Sequence, residues 1–333
     1  MRILVTGGAG FLGARLAREI LRRGQLAGQT VTELVIADLF PAPADLQADP
    51  RVKSHAGPML EQGDLLASGF DGVFHLASAV SGECELDFDL GMRSNLDSTR
   101  LLLDSIRRSG KVSRLVFASS VAVFGPYADQ PMPALVTDTT LPSPQTSYGT
   151  QKLMLEYLVA DQTRKGFIDG RSARLMTVTV RPGKPNGAAS SFFSGILREP
   201  LAGVESICPV DATVSHPVSS PGTTIRSLIA VFEASAATLG NRLALNLPGL
   251  NVTVQQMLDA LEKVAGKAVR NRVRFERDER IAGIVGNWAR GATSERANAL
   301  GLQADSSFES IIEQYIEDCR TQPGYPAEAL KGL

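Results

Sequence analysis

Two residues four positions apart, Tyr148 and Lys152, carry the chemistry for which this chain is equipped. At helical spacing they share one face, a turn apart, so an ammonium stands beside a phenol. A phenol with an ordinary pKa near ~10 is a poor base at neutral pH, and a neighbouring cation favours its ionised form. Tyr148 is therefore expected to take the proton of an alcohol whose carbon loses hydride, while Lys152 lowers the phenol pKa and also holds the ribose beside the hydride acceptor. Ser119 and Ser120 end an apolar run over residues 114–118, and hydroxyls at a strand end are expected to face a crevice. Ser120 would bond the same alcohol oxygen as Tyr148.

Hydride chemistry needs a dinucleotide, and the chain opens on a place for one. Ile3, Leu4 and Val5 lead into Thr6-Gly7-Gly8-Ala9-Gly10-Phe11-Leu12-Gly13 and then into a helical pattern over residues 14–21. In such a strand, turn and helix, Gly7 permits the tight turn, Gly10 the approach of a pyrophosphate and Gly13 the close packing of helix on strand. The N–H groups at the helix start then face phosphate charge. A second apolar run ends in Asp38, where a carboxylate accepts ribose hydroxyls and repels a 2′-phosphate, which favours NAD over NADP. Asp64 follows a short third strand over residues 52–56 and is read as a bond to the adenine amine or as an ordinary helix cap.

The elements that must position these groups follow in order. Residues 72–78 form a fourth strand in which His75 is a core histidine, then a small-residue loop leads to a long helix through residue 106 that carries Asn95. Residues 175–181 are expected as a sixth strand, and the rest alternates helices (192–201, 225–239, 254–265, 307–319) with strands (244–247, 273–276). A length of 333 residues allows one large α/β unit with a smaller appendage. With 34 basic and 35 acidic residues the net charge is −1 and no charged block stands out, which argues against nucleic acid or a membrane surface as partner. Cys84, Cys208 and Cys319 have neither disulfide-framework nor zinc spacing, so no metal is expected. The start shows no signal segment, no apolar run nears the ~20 residues that span a bilayer, and a cytoplasmic protein is expected.

Taken together, TGGAGFLG, Asp38, SSVAVFG and YGTQK resemble the extended short-chain dehydrogenase/reductase family, in its order and spacing over roughly residues 1–185. Phe124 departs from the tyrosine usual in that family's VYG, outside the proton chemistry. A late helix over residues 292–302 extends the similarity almost to the C-terminus. The resemblance implies an α/β fold with a doubly wound parallel Rossmann sheet and a smaller C-terminal α/β substrate-binding lobe. Residues 1–183 would be the NAD-binding domain and 184–333 mainly the lobe, with some segments returning to the core. It implies Ser120, Tyr148 and Lys152 as catalytic residues. NAD would be held by Gly7, Gly10, Phe11, Leu12, Gly13, Asp38, Asp64, Leu65, Ala77, Asn95, Ser119, Tyr148, Lys152 and Pro182. The helices that bear Asn95 and Tyr148 would pair across a homodimer.

Beyond residue 181 the chain supplies the substrate side. Lys184 stands where nucleotide-sugar relatives usually carry asparagine, and with Arg226 it could neutralise a carboxylate; a surface lysine and an arginine ion pair are the alternatives. Ser81, Ser190 and Ser191 could bond substrate hydroxyls beside Ser120 and Tyr148, and His216 is a further possible contact. The runs RPGKPNGAASSFFSGILREPLAG and SAVSGECELDFDLG resemble a group within the family that oxidises the C2 hydroxyl of a four-carbon sugar acid with NAD. A nucleotide-sugar epimerase or dehydratase that retains its NAD is the alternative. A non-catalytic NAD-sensing protein is disfavoured because the Tyr/Lys pair is present.

Overall fold

Short runs of branched and aromatic residues, covered on both faces, become parallel strands because only a fully buried sheet uses such runs without alternation. The computed structural model describes residues 1–127, 129, 131–183 and 189–333. Its main sheet comprises β1 (Arg2–Thr6), β2 (Glu33–Asp38), β3 (Val52–Ala56), β4 (Gly72–His75), β5 (Arg114–Ser120), β6 (Asp169–Leu175) and β7 (Leu245–Asn246). Their order is β7-β6-β5-β4-β1-β2-β3, with every neighbouring pair parallel. The order reverses between β1 and β4, and the crevice beyond their C-terminal ends is where such sheets bind ligands.

Successive side chains of a strand point to opposite faces, which splits the sheet's cover into two layers. Ile3 and Val5 pack on one face beneath α1 (Phe11–Arg23) and α5 (Pro221–Glu233), which contribute Leu16, Ile20, Leu228 and Phe232. Leu4, Val73 and Phe117 face the other way, beneath α2 (Ser98–Ser109) and α3 (Ser147–Arg164), with Leu102, Ile106, Leu155 and Val159. Each such side chain contributes roughly 1.5–3 kcal/mol of burial. A further core joins α4 (Phe192–Leu201), α6 (Val254–Ala265) and α7 (Phe308–Thr321), beside a small sheet of Thr177–Val178, Ser215–Ser219 and Leu250–Thr253. Among the described residues no helix is long and apolar enough to cross a membrane.

Three expectations change. The sixth strand runs over Asp169–Leu175 rather than 175–181, and Thr177–Val178 joins the small sheet instead. Polar residues hid it: Arg171 is buried because its guanidinium donates to the carbonyls of Val231 and Phe232 and pairs with Asp169. The helix expected at 225–239 starts earlier, at Pro221, where Ser220 caps it by accepting from Thr223 N at 3.0 Å, and a separate turn covers Ala236–Leu239. The long helix expected through residue 106 is broken into Ser81–Leu86, Phe88–Gly91, a π-helical stretch Met92–Asp97, and α2.

Candidate active site

The end of β5 and the start of α3 meet at the crevice. Thr146 caps α3 by accepting from Gly149 N at 3.0 Å, which sets Tyr148 in the first turn and Lys152 one turn on. Lys152 is buried; its Nζ donates to Ala118 O at 2.8 Å and stands 4.8 Å from the centre of the Phe117 ring and 5.5 Å from that of Tyr148. Burial lowers its pKa to about 8, and the negative charge of Glu156 resists that fall. Tyr148 is half-buried. Burial pushes its phenol up to about 12, opposed by the hydrogen bond from Ser120, the charge of Arg181 and the hydrogen bond from Ser78. The polypeptide thus raises this pKa where a lowered one was expected, because desolvation outweighs the groups that favour phenolate. The main cation acting on the phenol is Arg181 rather than Lys152.

The two serines part company because adjacent strand residues face opposite ways. Ser120 faces Tyr148, whereas the buried hydroxyl of Ser119 donates to Glu156 Oε1 at 2.5 Å, away from the crevice where it was expected. Asn95, on the π-helical stretch, is buried and committed to the protein. Its Oδ1 accepts from Ala79 N at 2.7 Å and Ser78 Oγ at 2.9 Å, and its Nδ2 donates to Gln151 Oε1 at 2.7 Å. It ties the Ser78 loop to α3 rather than reaching a cofactor through its amide.

The glycine loop offers a cradle. Gly7 has φ +68°, and a Cβ there would lie 2.7 Å from Ala77 N; one at Gly13 would lie 2.1 Å from Gly7 O. α1 starts at Gly10 without a side-chain cap, so the N–H groups of Phe11, Leu12 and Gly13 are left for an anion. Asp38 ends β2 and accepts from Ala9 N at 3.0 Å and Phe40 N at 3.1 Å, which fixes its carboxylate against the loop. Asp64 and Leu65 lie in the short helix Gly63–Leu66 beside the end of β3; Asp64 is exposed. Pro182 is half-buried and follows Arg181. These residues fit a dinucleotide: phosphate at the helix start, ribose at Asp38 and the reacting end at Tyr148.

On the substrate side, Ser81 opens the helix Ser81–Leu86, and Ser190 and Ser191 lie in the turn Ala189–Ser191 that leads into α4. Lys184 lies outside the described residues. Arg226 does not join the site: it is exposed on α5 and donates to Thr223 Oγ1 at 2.6 Å, because α5 turns its apolar face to the sheet and leaves this position outermost. His216 is likewise withdrawn. It is buried against Phe193, its Nε2 meets Thr177 Oγ1 at 2.8 Å and its Nδ1 meets Ala289 O at 3.0 Å. Burial holds its pKa down to about 4. His75 is the core histidine expected, bonded to Thr6 Oγ1 at 2.6 Å and Thr99 Oγ1 at 2.8 Å, with burial holding its pKa down to about 3.

Sequence reasoning missed three charged residues here. Arg181 is half-buried, its Nε donates to Val178 O at 3.0 Å, and no ion pair joins it to a carboxylate of the described residues. Its place as the last residue before Pro182-Gly183, at the end of an apolar segment, was the available signal. Glu156 and Arg174 form a buried ion pair at 2.7 Å behind Ser119; Glu156 stands at the next i+4 step after Lys152.

Three comparisons bear on this geometry. The model of the NAD dependent epimerase/dehydratase family matches residues 3–239. D-erythronate dehydrogenase of Cupriavidus necator is 48% identical over 325 residues, covering 96% of this chain and 98% of its own, and that of Haemophilus influenzae is 40% identical over 320 residues, covering 95% and 99%. The crystal structure of a nucleoside-diphosphate-sugar epimerase from Agrobacterium tumefaciens superposes with a TM-score of 0.90 at 42% identity, covering 96% of this chain and 94% of that one.

Proposed function

The chain belongs to the NAD dependent epimerase/dehydratase family, and from that premise we propose that it is an NAD-dependent dehydrogenase that oxidises the C2 hydroxyl of a small sugar acid, D-erythronate, to the 2-oxo acid. The observation that carries the reading is similarity along nearly the whole chain to two D-erythronate dehydrogenases. The crevice adds a phenol, a hydroxyl and a cation without a carboxylate partner among the described residues.

The residues divide the work as follows. Tyr148 accepts the alcohol proton while the C2 hydride departs, and Ser120 holds the alcohol oxygen in line with that transfer. Lys152, charged below its pKa of about 8, supports the developing phenolate and reaches the cofactor ribose. When bound, NAD supplies the hydride acceptor and a positively charged ring. Arg181 and Lys184 are the cations for the substrate carboxylate, and hydroxyls of Ser81 and Ser191 complete the fit. Asp38, fixed against the glycine loop, selects NAD by excluding a 2′-phosphate.

The reading extends to a homodimer through the helices around Asn95 and Tyr148. Its support is an apolar patch beside and on α3: Leu86 and Phe88 are 89% and 59% exposed, Met154 and Tyr157 46% and 55%. Free thiols at Cys84, Cys208 and Cys319 accord with a reducing, cytoplasmic setting.

A second reading has one observation in its favour, the nucleoside-diphosphate-sugar epimerase name of the Agrobacterium relative. One assay separates the two. The protein is incubated with NAD and a panel of four- to six-carbon aldonates, beside UDP-glucose and UDP-galactose. NADH formed far in excess of enzyme with D-erythronate is expected; sugar-nucleotide interconversion without NADH release would replace the dehydrogenase by the epimerase.

A further inference from the structure

Behind the crevice, α3 carries a second charged step that the proton chemistry does not use. Glu156 lies one turn after Lys152 on the same face of the helix, where side chains four apart are neighbours. It is buried, as is its partner Arg174. Arg174 Nε donates to Glu156 Oε1 at 2.9 Å and its Nη2 to Oε2 at 2.7 Å, a two-pronged pair. Ser119 and Arg174 are directly opposite on β5 and β6, so both reach the same carboxylate from the sheet. The guanidinium lies 4.9 Å from the centre of the Phe124 ring.

A buried ion pair is a poor device for stability, since desolvation of both charges consumes most of what their attraction returns. Its placement points to a different use. The carboxylate grips Ser119, and the neighbouring Ala118 carbonyl is the acceptor for Lys152 Nζ at 2.8 Å. One acidic group thus holds the strand end that seats the ammonium and adds a negative charge a turn away from it. We propose that Glu156, clamped by Arg174, is a positioning residue that keeps Lys152 seated and charged for the reaction. The inference rests on the reading that Tyr148 and Lys152 perform the proton chemistry.

Other groups face Lys152 as well: His75 from β4, Cys84 from the helix Ser81–Leu86, and Tyr148 from its own helix. His75 is neutral when buried, and the thiol of Cys84 is pushed up by burial, so the fixed negative charge comes from Glu156. Taking it away leaves the burial of Lys152 less opposed and moves its deprotonation to lower pH.

The test is the pH profile of the full-length enzyme with NAD and D-erythronate. Glu156→Gln keeps the size and an oxygen acceptor for Ser119 while deleting the charge. The alkaline limb of kcat is expected about one pH unit lower, a loss of ~10-fold on that limb, with KM for the acid changed less than ~2-fold. A merely structural role would lower thermal stability without moving the limb. The neutral double variant Glu156→Gln, Arg174→Met removes the buried charge imbalance and carries the test where the single variant does not fold. It is expected to recover stability but not the limb. A limb at the wild-type position in either folded variant overturns the proposal. Tyr148→Phe, run beside them, separates the two failures: if it turns over normally the proton-chemistry reading falls, and if it is inactive while Glu156→Gln keeps the wild-type limb, only the role of Glu156 falls.

Discussion

At the scale of single residues, the demand on Tyr148 is set by burial. Its phenol is pushed up to about 12, so the hydroxyl of Ser120 and the charge of Arg181 work against desolvation. Replacing it by phenylalanine deletes the proposed proton acceptor and leaves the glycine loop untouched. Tyr148→Phe is expected to lose ~10²–10⁴-fold in kcat, the usual worth of a positioned acid–base group, with NAD affinity within about twofold by fluorescence titration. Turnover near wild type would take Tyr148 out of the role. The pair Tyr148 and Lys152 was readable because helical spacing alone brings four-apart residues together; Glu156, one further step along the same face, was missed although the same spacing applies to it. Arg226 and His216 misled because the partner of a lone cation or imidazole is chosen by tertiary contacts. One lies on the outer face of its helix and the other stacks on Phe193 in the core. Ser119 misled through strand alternation, which gives neighbouring hydroxyls opposite destinations.

At the scale of elements, the loop that carries Ser78 is tied to α3 through Asn95. The π-helical stretch Met92–Asp97 turns Asn95 inward, where it bonds the backbone of Ala79, the hydroxyl of Ser78 and the amide of Gln151 on α3. Asn95→Ala takes the partner from Ala79 N and from the buried Gln151 Oε1, at about 1–3 kcal/mol. Denaturant unfolding should show a loss of that size, together with a raised KM for the sugar acid; an unchanged midpoint would refute the tie. The break in this helix was not readable, because its apolar period continues through the π stretch. Strand β6 was displaced in the reading for the opposite reason: Asp169, Arg171 and Arg174 interrupt the apolar run, yet each finds a partner in the fold. Strands β1, β2 and β5, which bury apolar runs with few charges, emerged close to where periodicity put them.

At the scale of the molecule, Met154, Tyr157, Leu86 and Phe88 expose apolar side chains on and beside α3. If this surface seats a second copy, light scattering should give twice the chain mass, and Tyr157→Glu should shift the equilibrium to monomer by placing a charge in the contact; a wild-type monomer would end the idea. The sheet itself has a consequence for how the chain is made. Its outermost strand, β7 at Leu245–Asn246, and the apolar face of α5 at Pro221–Glu233 come from far beyond the residues they complete. A ribosome delivers the polypeptide from its N-terminus, so β6 emerges with one face bare until α5 at Pro221–Glu233 has been added and one edge unpaired until β7 at Leu245–Asn246 follows. An open edge of this kind recruits other strands. Synthesis that stalls before α5 therefore leaves a fragment with the glycine loop in place, the β6 edge open and one face of the sheet uncovered.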